Sequence, residues 1–145
     1  MLACDLLVAA RDARFGLPEA KRGLVAGAGG VIRLPRLIPQ RIAMQMVLTG
    51  DMMGAERLYE LGLVNVLTEP GGALAAAKEM ARTIIDNVPL SVTLSKHVIN
   101  EQRDWPNDAI WDMQDAILGD FRNFNDAKEG ALAFLEKRKP KWTGT

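Results

Sequence analysis

The sequence predicts an α/β protein, on three observations. Residues 6–10 and 63–67 are short apolar runs of strand length and composition. A glycine loop, Gly27-Ala28-Gly29-Gly30, stands directly ahead of a helical pattern. From residue 73 almost to the end, apolar residues recur at helical spacing.

Taken in order, residues 6–10 read as a strand buried on both faces, because the run is continuous rather than alternating. Arg11-Asp12 makes a polar turn. Residues 13–15 read as a second short strand, which Gly16 and Pro18 end. Glu19 is thereby expected at the close of an extended segment, its side chain free to point into a cleft. After the glycine loop, Val31, Ile32 and Leu34 predict a turn or two of helix that stops near Pro35. Pro39 opens the next helix, where its missing N–H costs nothing. Ile42, Ala43, Met46 and Val47 form that helix's apolar face, and Gly50 closes it.

A short helix over Ala55 and Glu56, with Leu58 and Leu61 inward, ends at Gly62. Residues 63–67 alternate as a strand, and Glu69-Pro70-Gly71-Gly72 forms a loop. Three helices follow, with inward faces at Leu74, Ala77, Ala81, Ile84 and Ile85, then Leu90, Leu94 and Val98, then Ala109, Met113, Ala116 and Ile117. Trp105-Pro106 is expected to begin the third of these. The last helix opens on Asp126-Ala127-Lys128-Glu129, whose spacing matches a capping box. Its basic end, Lys137, Arg138 and Lys139, suits the helix dipole.

Composition narrows the function. Of 145 residues, 48% are hydrophobic and 25% charged, and Lys plus Arg balance Asp plus Glu at 18 each. Nucleic-acid binders carry a basic excess, so none is expected as a partner. No apolar run reaches the roughly 20 residues that span a bilayer. Cys4 is the single cysteine. It cannot form an internal disulfide, is expected as an inert core thiol, and points to a reducing compartment, the cytoplasm. His97, the single histidine, has no partner at metal-ligand spacing. Trp105, Trp111 and Trp142 are expected in packing or a subunit contact. Met44, Met46, Met52 and Met53 suit either a core or the wall of a greasy tunnel.

The chemistry centres on Phe15-Gly16-Leu17-Pro18-Glu19. Glu19 stands alone among apolar neighbours, and such surroundings disfavour the charged form of a carboxyl group. That suits a general acid or base at neutral pH. A solvent-facing glutamate beside an ordinary loop is the alternative.

Three stretches carry a family likeness. They are residues 3–9 (Ala-Cys-Asp-Leu-Leu-Val-Ala), residues 13–19 (Ala-Arg-Phe-Gly-Leu-Pro-Glu) and residues 27–36 (Gly-Ala-Gly-Gly-Val-Ile-Arg-Leu-Pro-Arg). Together they closely resemble the enoyl-CoA hydratase (crotonase) family. Leu48-Thr49-Gly50, Ala55-Glu56, Leu61-Gly62-Leu63-Val64-Asn65 and the ending from Asp126 to Arg138 continue the resemblance along the whole chain. The resemblance implies the C-terminal part of a crotonase-like ββα spiral over residues 1–69. Over residues 70–145 it implies a helical region for trimerisation and active-site cover. It also implies upstream material holding one oxyanion-hole amide, a Gly-Gly-Gly stretch with the second, and, in hydratases, a second glutamate.

By the same resemblance the substrate is an acyl-CoA thioester. Glu19 is the acid/base residue that passes a proton to the α-carbon, Leu17 and Pro18 border the acyl pocket, and Gly29 and Gly30 line it at a helix start. Lys137 either reaches coenzyme A or is a solvated helix end. The assembly is a homotrimer or hexamer. No cofactor is implied, coenzyme A being part of the substrate. Ala26 and Val31 stand where the family often has proline and threonine. Lys21-Arg22-Gly23-Leu24 and Val31-Ile32-Arg33 look like carnitinyl-CoA dehydratase-type members. The expected activity is that of an enoyl-CoA hydratase. The alternatives are an isomerase or carnitinyl-CoA-type dehydratase of the same family, or an inactive fragment that only joins partner subunits. The isolated chain, lacking a complete oxyanion hole, is expected to hydrate little.

Overall fold

The computed structural model describes residues 1–145 as two compact units, Met1–Met80 and Ala81–Thr145. The first unit holds every strand. Strand β1 (Val8–Ala10) pairs in parallel with β4 (Val66–Thr68), Val8 opposite Val66 and Ala10 opposite Thr68. Strand β2 (Arg14–Phe15) pairs antiparallel with β3 (Met53–Gly54), Phe15 opposite Met53. A parallel pair needs a long crossover, and here helices α1 (Gly30–Leu37), α2 (Gln40–Thr49) and α3 (Ala55–Glu60) lie within it.

Strand β1 is shorter than the apolar run that predicts it. Leu6 is exposed, and Leu7 uses its N–H on the Asn65 side chain at 2.7 Å instead of on a ladder. Strand β4 starts later than expected because Leu63 and Val64 are spent on the core while still in the loop after α3. They join Ala9, Leu34, Ile38, Ala43, Met46, Ala55 and Leu58 in one buried cluster. Leu58 lies inward as read, whereas Leu61 is only half-buried. Cys4, expected in the core, is exposed, because the strand begins only at Val8.

Helix α1 runs through Pro35 instead of stopping there. Proline removes one N–H from the ladder, but the helix still closes through the Ile38 N–H to the Leu34 carbonyl at 3.2 Å, and Leu34 anchors it in the core. Pro39 precedes α2, and Gly50 ends it at a φ of 64°, both where the sequence puts them.

Helix α4 (Ala73–Ile85) crosses the boundary between the units. In the second unit, α5 (Pro89–Glu101) keeps Leu90, Leu94 and Val98 half-buried, the face its spacing predicts. Helix α6 (Ile110–Leu118) begins later than Trp105-Pro106, which lie in the loop after a short 3₁₀ turn. Helix α7 (Asn125–Leu135) follows. Its predicted capping box does not form. Asp126 is buried inside the first turn and accepts instead from the Thr143 N–H and hydroxyl and the Gly144 N–H, at 2.7–2.8 Å. No helix is long and apolar enough to cross a membrane.

Candidate active site

The Glu19 segment departs from the extended conformation that its sequence suggests. Pro18 sits at the first position of a 3₁₀ turn, Pro18–Arg22, and Glu19 lies within that turn. Proline's fixed φ suits a helical start, so here it initiates a turn instead of prolonging the strand. Gly23 closes the turn at a φ of 70°. The carbonyl of Glu19 accepts the N–H groups of both Gly23 and Leu24, the latter at 3.0 Å. The backbone that carries the carboxylate is therefore bonded on the far side of the turn.

The carboxylate itself is half-buried, and its Oε2 is fully enclosed without a hydrogen-bond partner. Enclosed polar atoms without partners are rare in folded proteins, since each forfeits its bonds to water. One that persists marks a group awaiting a partner, a substrate atom among the candidates.

Leu17, one residue before the turn, meets the glycine loop. A Cβ added at Gly30 would come within 3.0–3.1 Å of the Leu17 methyls and 3.1 Å of the Ala26 methyl. Gly30 is small because these side chains fill the space where its own would be. Gly29 precedes α1 at a φ of 96° with no side-chain cap, and a Cβ there would collide with the Arg33 guanidinium. The Arg33 side chain also donates to the Ala28 carbonyl at 3.3 Å. The N-terminal end of α1 thus lies beside Leu17, and helix starts carry partial positive charge. The structure sets Leu17, which precedes Pro18 and Glu19 in the chain, against Gly30, the residue after Gly29. Lys137 belongs to the second unit, exposed and just beyond α7.

Of the four methionines, Met46 is core, while Met44 and Met52 are exposed. Trp142 is a packing residue. Its ring covers Gly130, and its indole N–H donates to the Asp86 carbonyl at 2.8 Å. Trp111 is largely exposed. Lys21, marked by the sequence only within the Lys21-Arg22-Gly23-Leu24 likeness, closes an ion pair of 2.6 Å with Asp51 beside the Glu19 turn, a pairing the sequence did not mark. Positions 21 and 51 share no local spacing, so the Gly50-Asp51 step after α2 was the sole available cue.

The family model described as enoyl-CoA hydratase/isomerase matches residues 1–145. The solved enoyl-CoA hydratase from Mycobacterium tuberculosis is 58% identical, with a TM-score of 0.96, over 99% of this chain and 57% of that one. The enoyl-CoA hydratase from Mycobacterium marinum is 57% identical, with a TM-score of 0.97 and the same coverage. Among curated relatives, the carnitinyl-CoA dehydratase of Salmonella arizonae is 39% identical over 99% of this chain. The chain spans 56% of that relative's length. The fold of this chain is therefore that of the matching part of a crotonase.

Proposed function

The chain belongs to the enoyl-CoA hydratase/isomerase family, and from that premise we propose that it carries the proton-transfer residue of an enoyl-CoA hydratase. Water adds across the double bond of a 2-enoyl-CoA thioester. Its oxygen bonds to the β-carbon while the second glutamate that the family likeness implies for hydratases takes one of its protons, the π electrons move onto the thioester as an enolate, and Glu19 delivers a proton to the α-carbon. The enclosed, unpartnered Oε2 of Glu19 is the observation that carries this reading. A carboxyl group held without a protein partner is free to exchange a proton with a bound substrate.

Leu17, Pro18 and the Gly29-Gly30 step form the acyl side of the site, and the start of α1 adds positive potential near the developing oxyanion. By family likeness, Lys137 contacts the phosphate or adenine end of coenzyme A bound to a neighbouring subunit. The active assembly is a homotrimer or a hexamer in the cytoplasm, and it uses no separate cofactor. The likeness to carnitinyl-CoA dehydratases supports a second reading, in which Glu19 removes the α-proton of a hydroxyacyl-CoA and water leaves.

The test is hydration of crotonyl-CoA, followed by loss of the conjugated thioester absorbance. The chain is assayed by itself and in place of the matching segment of the Mycobacterium tuberculosis hydratase. The expected result is little turnover alone and clear turnover in the exchanged enzyme. Glu19→Gln should then lower it by at least about a hundredfold. Undiminished turnover in Glu19→Gln would remove Glu19 from the chemistry. Dehydration of carnitinyl-CoA in preference to hydration of crotonyl-CoA would favour the second reading.

A further inference from the structure

The strand and turn that carry Glu19 lie against one short stretch of chain, the turn Gly50-Asp51-Met52 after α2, and they meet it at successive positions. Arg14 donates from its guanidinium to the Met52 carbonyl at 3.2 Å. Gly16 approaches so closely that a Cβ would lie 3.1 Å from the Asp51 carbonyl and 2.5 Å from Met52 Sδ. A Cβ at Gly50 would lie 3.4 Å from Pro18 Cα and 3.1 Å from Lys21 Cγ, and its φ of 64° disfavours any side chain. Lys21 Nζ then reaches Asp51 Oδ1 at 2.6 Å.

The far side of this platform is itself tied down. The Asp51 N–H donates to Thr49 Oγ1 at 3.1 Å, and that hydroxyl donates to the Gln45 carbonyl in α2 at 2.8 Å. We propose that the Gly50-Asp51-Met52 turn is the platform that sets the position of Glu19, and that Asp51, acting through Lys21, is a positioning residue for the proton transfer. The inference rests on the reading of Glu19 given above. Lys21 holds the Asp51 carboxyl below the usual carboxylate range, so Asp51 stays ionised at neutral pH. Both partners are more than half exposed, and such a pair adds little to global stability. Its consequence lies in geometry, because small displacements of a catalytic group cost large factors in rate.

That combination separates positioning from mere structure. In the 145-residue chain, hydrogen exchange at the Gly23 and Leu24 amides, both bonded to the Glu19 carbonyl, reports the order of the turn. Asp51→Asn and Lys21→Met should each speed exchange there several-fold, with the α7 amides and the thermal midpoint unmoved. In the exchanged enzyme the same variants should lower kcat about tenfold at unchanged KM. Lys21→Arg should keep the rate, and the double swap Lys21→Asp with Asp51→Lys should restore most of it. Unchanged exchange in both single variants overturns the platform. Faster exchange with unchanged kcat, while Glu19→Gln is inactive, overturns the positioning role. Full activity in Glu19→Gln instead brings down the reading of Glu19 and the positioning role with it, and the exchange rates still decide the platform.

Discussion

Lys137 is the one residue other than glycine with a positive φ, at 52°. It occupies the position after the helix cap, where its N–H donates to the Phe134 carbonyl at 3.3 Å and the Arg138 N–H to the Ala133 carbonyl at 3.0 Å. That pair of bonds is the Schellman closure, which ordinarily selects glycine. A left-handed lysine costs about 1–2 kcal/mol relative to its preferred conformations. Lys137→Gly is therefore expected to stabilise the chain by about 1 kcal/mol, read as a higher urea midpoint. If Lys137 serves coenzyme A, the same substitution should weaken CoA binding by the exchanged enzyme. A stability gain without any change in CoA affinity would leave Lys137 a solvated helix end. The sequence marked Lys137 as part of a basic helix end and, through family likeness, as a coenzyme A contact, but its backbone angle leaves no trace in residue spacing.

At the scale of elements, α7 and the tail behind it are joined through carboxylates. Glu129 accepts both terminal nitrogens of Arg138 at 2.6 and 2.9 Å and the Lys141 N–H at 2.8 Å. Arg138 also donates to Glu136 at 2.6 Å. Asp126 holds Thr143 and Gly144, and its own N–H donates to the Thr145 carbonyl at 3.1 Å. The Arg138 guanidinium, then the Lys141 N–H, bring the Glu129 carboxyl down to about 2 from its usual 4.5. A depressed carboxylate contributes stability that is complete above its unfolded value and lost as pH falls through the folded one. The tail should hence stay clamped above about pH 4.5 and release as pH falls toward about 2. Trp142 fluorescence in a Trp105→Phe/Trp111→Phe background reads that release, since the Trp142 ring lies on Gly130. Glu129→Gln should loosen the tail already at neutral pH, and a flat signal down to pH 2 in the parent would refute the clamp. Asp126 and Glu129 were legible as a pair, but their spacing fits a capping box equally well, and only the tail's position decides between the two uses. Periodicity found α2, which buries Ala43 and Met46, and α5, whose Leu90, Leu94 and Val98 face is half-buried. It misplaced the start of α6, and it missed the turn at Glu19, where Pro18 starts a helix-like turn as readily as it ends a strand.

For the molecule as a whole, the decisive quantity is the apolar surface left open. Leu24 and Val25 are 64% and 76% exposed in the first unit, and Trp111, Phe134 and Leu135 are 71%, 83% and 78% exposed in the second. Helix α4 shows the same pattern. Leu74 and Ile85, read from spacing as an inward face, are exposed. The helical period was legible in the sequence, but which surface would cover each face was not, because a period records that a face is apolar and not what lies against it. The glycine loop was legible for a related reason. Gly29 takes a φ of 96°, which favours glycine, and a Cβ at Gly30 would press on the Leu17 methyls, and small residues in a row advertise such positions. Scattered exposed apolar residues are ordinary, but large clustered ones mark contact surfaces. The proposed trimer or hexamer supplies a use for them, and the expectation can be measured. Light scattering on the chain, whose mass is 15.9 kDa, should give an associated species whose mass falls toward the monomer on diluting. Trp111→Glu combined with Phe134→Glu should shift it to monomer without changing helix content, because both side chains are largely exposed and neither belongs to the buried cluster. A folded monomer at all concentrations would place the subunit contacts outside this chain. Association that survives both substitutions would move the contact to the Leu24-Val25 surface of the first unit.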